Sequence, residues 1–161
     1  MFYPILEENN IFYFETETGN KISVEFGDLT NIFEAHFPIY CVDIYRLENN
    51  FNRIGHSNES EGFKTRDTII FIIKDFFEKF DCALVAFIDT STDRKGPARN
   101  RLFMSWFKEF AGEEFLIEPR EIMVSEAESY SFLIIRKSYG NAASLIDAFD
   151  KFIALANIPE E

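Results

Sequence analysis

At 161 residues and 18.8 kDa, with 47% hydrophobic and 27% charged residues, the chain has the size and composition of one globular domain. A formal net charge of −12 and a pI near 4.6 argue against broad binding to nucleic acid or to an anionic membrane surface, which needs a positive face. No apolar run reaches the roughly 18 residues of a membrane span, and "MFYPILEENN" lacks the basic start and long apolar stretch of a signal peptide, so the expected setting is cytoplasmic.

The stretch "IFYFETETGNKISVEFG" holds two alternating runs, residues 11 to 16 and 21 to 26, joined by a polar turn at Gly19-Asn20. That pattern predicts a β-hairpin. "DLTNIFEAHF" suits a short helical turn capped by Asp28. "PIYCVDIYRLE" alternates as a third strand, with Pro38 at its start where a missing N–H is tolerated. Residues 48 to 65, rich in Asn, Ser, Glu and Gly, read as one long loop and the most mobile internal segment.

"RDTIIFIIKDFFEKF" places apolar residues at 69, 72, 73, 76, 77 and 80, the spacing of an amphipathic helix over 66–80 with Thr65 as its cap. "CALVAFID" is a continuous apolar run of strand length, hence a central strand covered on both faces. A helix over 98–111 sets Leu102, Phe103, Trp106, Phe107 and Phe110 on one inward face and ends at Gly112. "EFLIEPREIMV" and "SYSFLIIRK" read as paired strands around "SEAES". "NAASLIDAFDKFIALAN" closes the chain as a helix capped by Asn141, with Leu145, Ile146, Phe149, Phe152 and Ile153 inward. The expected order is βββ-α-β-α-ββ-α, a single α+β domain with a mixed or antiparallel sheet. Twenty Phe against one Trp, mostly at helical or strand spacing, point to a Phe-packed core.

The run from Arg66 to the "SYSFLII" strand resembles a family of short bacterial α+β proteins of unknown function. The resemblance is carried by Arg66, Thr68, Ile69, Ile72, Ile73, Phe76 and Phe77 and by the Asp, Arg and aromatic positions between Asp89 and Phe107. It implies a fold grouping and a bacterial cytoplasmic setting, and it transfers no activity, cofactor or site residue.

Several chemistries lack their residues. His36 and His56 with the scattered Cys41 and Cys82 do not make a four-ligand zinc site. No GxxxxGK[ST], GxGxxG or GxSxG occurs. The two cysteines sit in apolar strand-like runs and read as buried free thiols of a reducing compartment, not as nucleophiles. No cofactor is expected.

One segment does stand out. "DTSTDRKGPARNRLF", Asp89 to Phe103, gathers four of the sixteen Lys and Arg, namely Arg94, Lys95, Arg99 and Arg101, in an acidic chain. The short connection from helix 66–80 to the next strand predicts that both helix starts meet at one sheet edge, bringing Lys64 and Arg66 towards them. Cations at helix N-termini oppose the macrodipole by roughly 0.3–1 kcal/mol each, so a compensating negative charge is expected. Three readings follow. Arg99 and its neighbours pair with Asp89 or Asp93 and pin the helices; or the edge takes an anion through helix N–H groups and arginine forks; or Asp89 and Asp93 hold Mg²⁺, against the surrounding cations.

The expected function is a small non-enzymatic regulatory or interaction module. Its Arg-rich edge (Arg66, Asp89, Asp93, Arg94, Lys95, Arg99, Arg101) would bind an acidic protein segment or a phosphorylated ligand. The alternative is a metal-dependent phosphoryl hydrolase or nuclease with Asp89 and Asp93 as ligands and Arg99 or Arg101 steadying the phosphate.

Overall fold

The structure, a computed structural model, describes residues 2–33, 36–47, 59–88, 96–124 and 127–156. Its class is α+β: the described residues form a mixed sheet of seven strands in the order β1-β2-β3-β4-β5-β7-β6, with three helices. The chain divides into two compact units, Met1–Gly27 with Val42–Asp81, and Asp28–Cys41 with Cys82–Glu161. No helix among the described residues is long and apolar enough to cross a membrane.

The first unit is built on two hairpins that share a strand. β2 (Ile11–Glu15) pairs antiparallel with β3 (Lys21–Asp28), Glu15 facing Lys21. Gly19 takes φ +83° in the connecting turn, a conformation that favours glycine. The turn is closed by Thr16 N donating to Asn20 O at 2.9 Å and Asn20 N to Thr16 Oγ1 at 3.1 Å. Ahead of it stands β1 (Leu6–Glu8), a strand the alternation did not predict, paired antiparallel with β2. Its signal was the dipeptide Asn9-Asn10. Both residues hold positive φ, 53° and 63°, as a two-residue hairpin turn demands and as Asn tolerates.

Helix α1 (Glu59–Lys79) buries Ile69, Ile72, Ile73, Phe76 and Phe77 and meets the hairpin pair through Phe76. Phe26 stacks on Phe76 with centroids 3.9 Å apart, and Phe12 meets Phe26 edge-on. Thr68, fully buried, accepts Tyr3 N–H at 3.0 Å while its own hydroxyl donates to Lys64 O at 2.7 Å.

The expected loop 48–65 is corrected here: residues 59–65 are helical, and Thr65 lies inside α1 rather than capping it. Residues 48–58 fall outside the described residues. Within the added turns Lys64 makes tertiary contacts that no local pattern reports: its Nζ lies 3.6 Å from Glu17 and 4.4 Å from the Tyr3 ring centroid. Gly62 had the look of a loop residue, yet it sits within the helix with nothing in reach of an added Cβ. Gly62→Ala is therefore expected to stabilise the protein by roughly 0.4–1 kcal/mol. Urea unfolding checks it; a loss of stability would show that this turn is not helical in solution.

The second unit encloses a three-layer core. β6 (Phe115–Val124) and β7 (Ala127–Arg136) form a hairpin from Phe115 facing Arg136 to Val124 facing Ala127, so most of "SEAES" belongs to the strand rather than the turn. β5 (Ala83–Ile88) runs antiparallel to β7. Helices α2 (Gly96–Ala111) and α3 (Ala142–Ala156) both pack on these strands. Ala83, Val85, Leu133 and Ile135 join Leu145, Phe149 and Ile153 of α3 in one cluster. Phe132, next to Leu133, turns the other way and meets Phe107 of α2 at 5.0 Å. Covering on both faces is why these strands are continuously apolar.

Between Asp28 and Ile39 the expected capped turn is present as a single turn. Asp28 Oδ1 accepts Thr30 N–H at 2.9 Å, and Phe33 N donates to Leu29 O at 3.1 Å. β4 (Ile39–Leu47) follows directly after Pro38. α2 departs from expectation on one side: Phe107 and Ala111 are buried, Phe103, Trp106 and Phe110 half-buried, and Leu102 exposed. At about 100° per residue Leu102 stands roughly 140° around the helix from Phe107, outside the apolar stripe.

Candidate functional site

α2 opens at Gly96 with Pro97 in its first turn, where the missing N–H costs no hydrogen bond. No acidic residue lies in that turn. Arg99 and Arg101 follow within the helix; Arg101 is exposed and has no ion pair among the described residues. The rest of the expected cluster in this unit, Asp89, Asp93, Arg94 and Lys95, lies outside the described residues, as do the hydroxyls of Thr90, Ser91 and Thr92 and the side chain of Arg99.

Arg66 belongs to the first unit. Its Nε and Nη2 donate to Asp67 Oδ1 at 3.1 and 3.0 Å, and its guanidinium lies 4.9 Å from the Phe63 ring centroid. Lys64 is engaged by Glu17 and Tyr3. These two cations thus have partners on their own hairpin and helix.

Cys41 is half-buried and Cys82 buried, both free thiols; the expectation of two buried thiols holds only for Cys82. His36 is exposed, and His56 lies outside the described residues. No group of three or more His, Cys, Asp or Glu able to hold a metal ion occurs among the described residues.

A polar network that the sequence did not signal joins β6 to α3. Arg120 Nε and Nη2 donate to the two carboxylate oxygens of Asp150 at 2.6 and 3.3 Å, while Nη1 donates to Glu118 Oε2 at 3.2 Å and Pro119 O at 2.8 Å. The guanidinium also stands 5.9 Å from the Phe149 ring centroid. The hydrogen bond from Arg120 holds the Asp150 carboxyl below its ordinary value, and the same bond raises Arg120. Thirty positions separate the partners, and only the docking of α3 on β6 brings them together.

This fork ties α3 to β6. A carboxyl with a lowered folded pKa contributes stability that is present above its unfolded pKa and lost as pH falls through the folded one. Because half of the Asp150 side chain is exposed, the expected contribution is only about 0.5–1 kcal/mol. Asp150→Asn should lower stability at neutral pH and leave it unchanged once acid has protonated the wild-type carboxyl. A difference that persists undiminished in acid would rule out this origin.

A family model, that of a family of unknown function (DUF6169), matches residues 61–151, from α1 into α3. No curated protein and no solved structure matches the chain.

Proposed function

As a member of the DUF6169 family, the chain takes no activity from its relatives, and we propose that it is a non-enzymatic cytoplasmic interaction module. Its basic segment at the start of α2 binds an acidic protein segment or a phosphorylated ligand. The observation that carries this reading is the helix opening itself. A first turn without acid, preceded in the chain by Arg94 and Lys95 and followed by Arg99 and an exposed Arg101, adds positive charge to the positive end of a helix. An anion there accepts the unpaired N–H groups and relieves the repulsion between cations. Arginine forks supply directional donors for carboxylate or phosphate oxygens.

The test is thermal unfolding with added phosphate, sulfate or a polyglutamate peptide. Saturation to about a hundredfold over Kd should stabilise the wild type by roughly 2.7 kcal/mol. Arg94→Ala and Arg101→Ala should abolish that gain while changing the stability of the free protein by less than about 0.5 kcal/mol. Unchanged melting in all three ligands, or equal stabilisation of the variants, would remove the reading.

A further inference from the structure

The edge strand of the first unit differs in charge from the basic segment of α2. β1 ends the strand order, so among the described residues only one of its edges is paired. Its two-residue turn makes Glu8 and Ile11 the hydrogen-bonded pair next to the loop. By antiparallel alternation Glu7, facing Phe12, is then a non-hydrogen-bonded position. The N–H and C=O of Glu7 therefore point outward, along the open edge.

Beside that edge runs a groove of about 210 Å³ lined by Ile5, Glu7, Phe12, Phe71, Ile72 and Asp75. Its wall is apolar and accessible: Phe71 is 42% exposed and stacks with Phe2, itself 47% exposed, at 4.6 Å. Its polar end is acidic. Asp75 is paired with Lys79 at 2.8 Å, a cation that Glu7 also attracts, so two carboxylates share one cation at this end and one negative charge is in excess.

We propose that β1 and the adjoining flank of α1 form a docking edge for an extended basic–apolar segment of a partner protein. The segment adds a strand to β1, seats an apolar side chain against Ile5 and Phe71, and sets a Lys or Arg beside Glu7. Strand addition takes its affinity from main-chain hydrogen bonds and its selectivity from alternate side chains. Residues two apart on the incoming strand share the groove face, which matches an apolar contact followed by an acidic one.

Charge also decides against a second copy of this chain as the occupant. Antiparallel pairing of β1 with a second β1 about the outward-pointing Glu7 would set Glu7 opposite its own copy, and like charges across a strand pair are destabilising. A net charge of −12 adds repulsion at longer range.

The probe is a short synthetic peptide with Phe and Lys two residues apart on one face and Thr on the other, titrated into the full chain and followed by backbone amide NMR. Shifts are expected at residues 5–8 and 71–75. Replacing the peptide Lys by Glu, or Glu7→Lys in the protein, should weaken binding at least about tenfold, because an attractive charge contact becomes repulsive. N-methylation of the peptide amides that face β1 should abolish it, a loss that a merely electrostatic contact would not show. Absence of binding at roughly 1 mM peptide, shifts centred elsewhere, or equal binding of the N-methylated peptide would overturn the proposal. So would a dimer of the free chain whose interface maps to β1. None of these outcomes depends on the basic segment of α2.

Discussion

Phe107→Ala is expected to lower the stability of the protein by about 3–5 kcal/mol, the range for truncating a large core aromatic. Phe107 has no exposed surface. It lies 5.0 Å from Phe132 and 6.4 Å from Phe110, and Phe110 in turn stacks on Phe115 at 4.9 Å. Removing the ring would leave a cavity between α2 and β7 that the flanking rings fill only in part. Trp106→Ala should cost clearly less, because Trp106 keeps part of its surface in water and meets Phe103 edge-on at the rim of the stripe. Urea unfolding of the two variants, compared at equal m-values, gives the ranking. If Trp106→Ala proved the more damaging, α2 would have to be rotated about its axis from the position described.

Thr68→Val should cost about 1–3 kcal/mol, despite nearly conserving volume. The Thr68 hydroxyl is the acceptor for the Tyr3 backbone N–H at 3.0 Å, a contact across sixty-five positions that is buried on both sides. Valine fills the space and offers no acceptor, so the N–H would be left unsatisfied away from water. Thr68→Ser keeps the oxygen and should recover most of the loss, apart from a small packing deficit. Amide exchange at Tyr3 adds a local readout: faster exchange is expected in the valine variant and near wild-type exchange in the serine one. Wild-type stability in Thr68→Val would mean that Tyr3 N–H finds another acceptor.

The basic segment was legible as a charge pattern, because four cations within eight positions stand out in any acidic chain. The partners of each cation were not. Lys64 and Arg66 were expected beside the α2 segment, and within their own unit they engage Glu17, Tyr3, Asp67 and Phe63. The Arg120–Asp150 fork had no sequence signal, since Glu118 and Arg120 look like ordinary solvated positions of a strand until α3 lies beside them.

Periodicity is a local property of the chain, so the α+β class and the existence and type of most elements were determined by the sequence alone. The 3.6-residue spacing of Ile69, Ile72, Ile73, Phe76 and Phe77 has no strand reading, and the unbroken run at Ala83–Ile88 requires cover on both faces. Where elements begin, and which part of a broad apolar face is buried, depended on what packs against them. The first turns of α1 are mostly polar and contain Gly62, and within them Lys64 reaches Glu17 of the β2–β3 turn and the Tyr3 ring ahead of β1, contacts that no local pattern reports. The three residues of β1 are too few to carry a period, and they form a strand because the Asn9-Asn10 turn folds them onto β2. On α2 five apolar residues competed for one face, and the position of β7 chose Phe107 for the interior and left Leu102 in water. A helix carries its own period, but only a neighbouring surface selects its buried side.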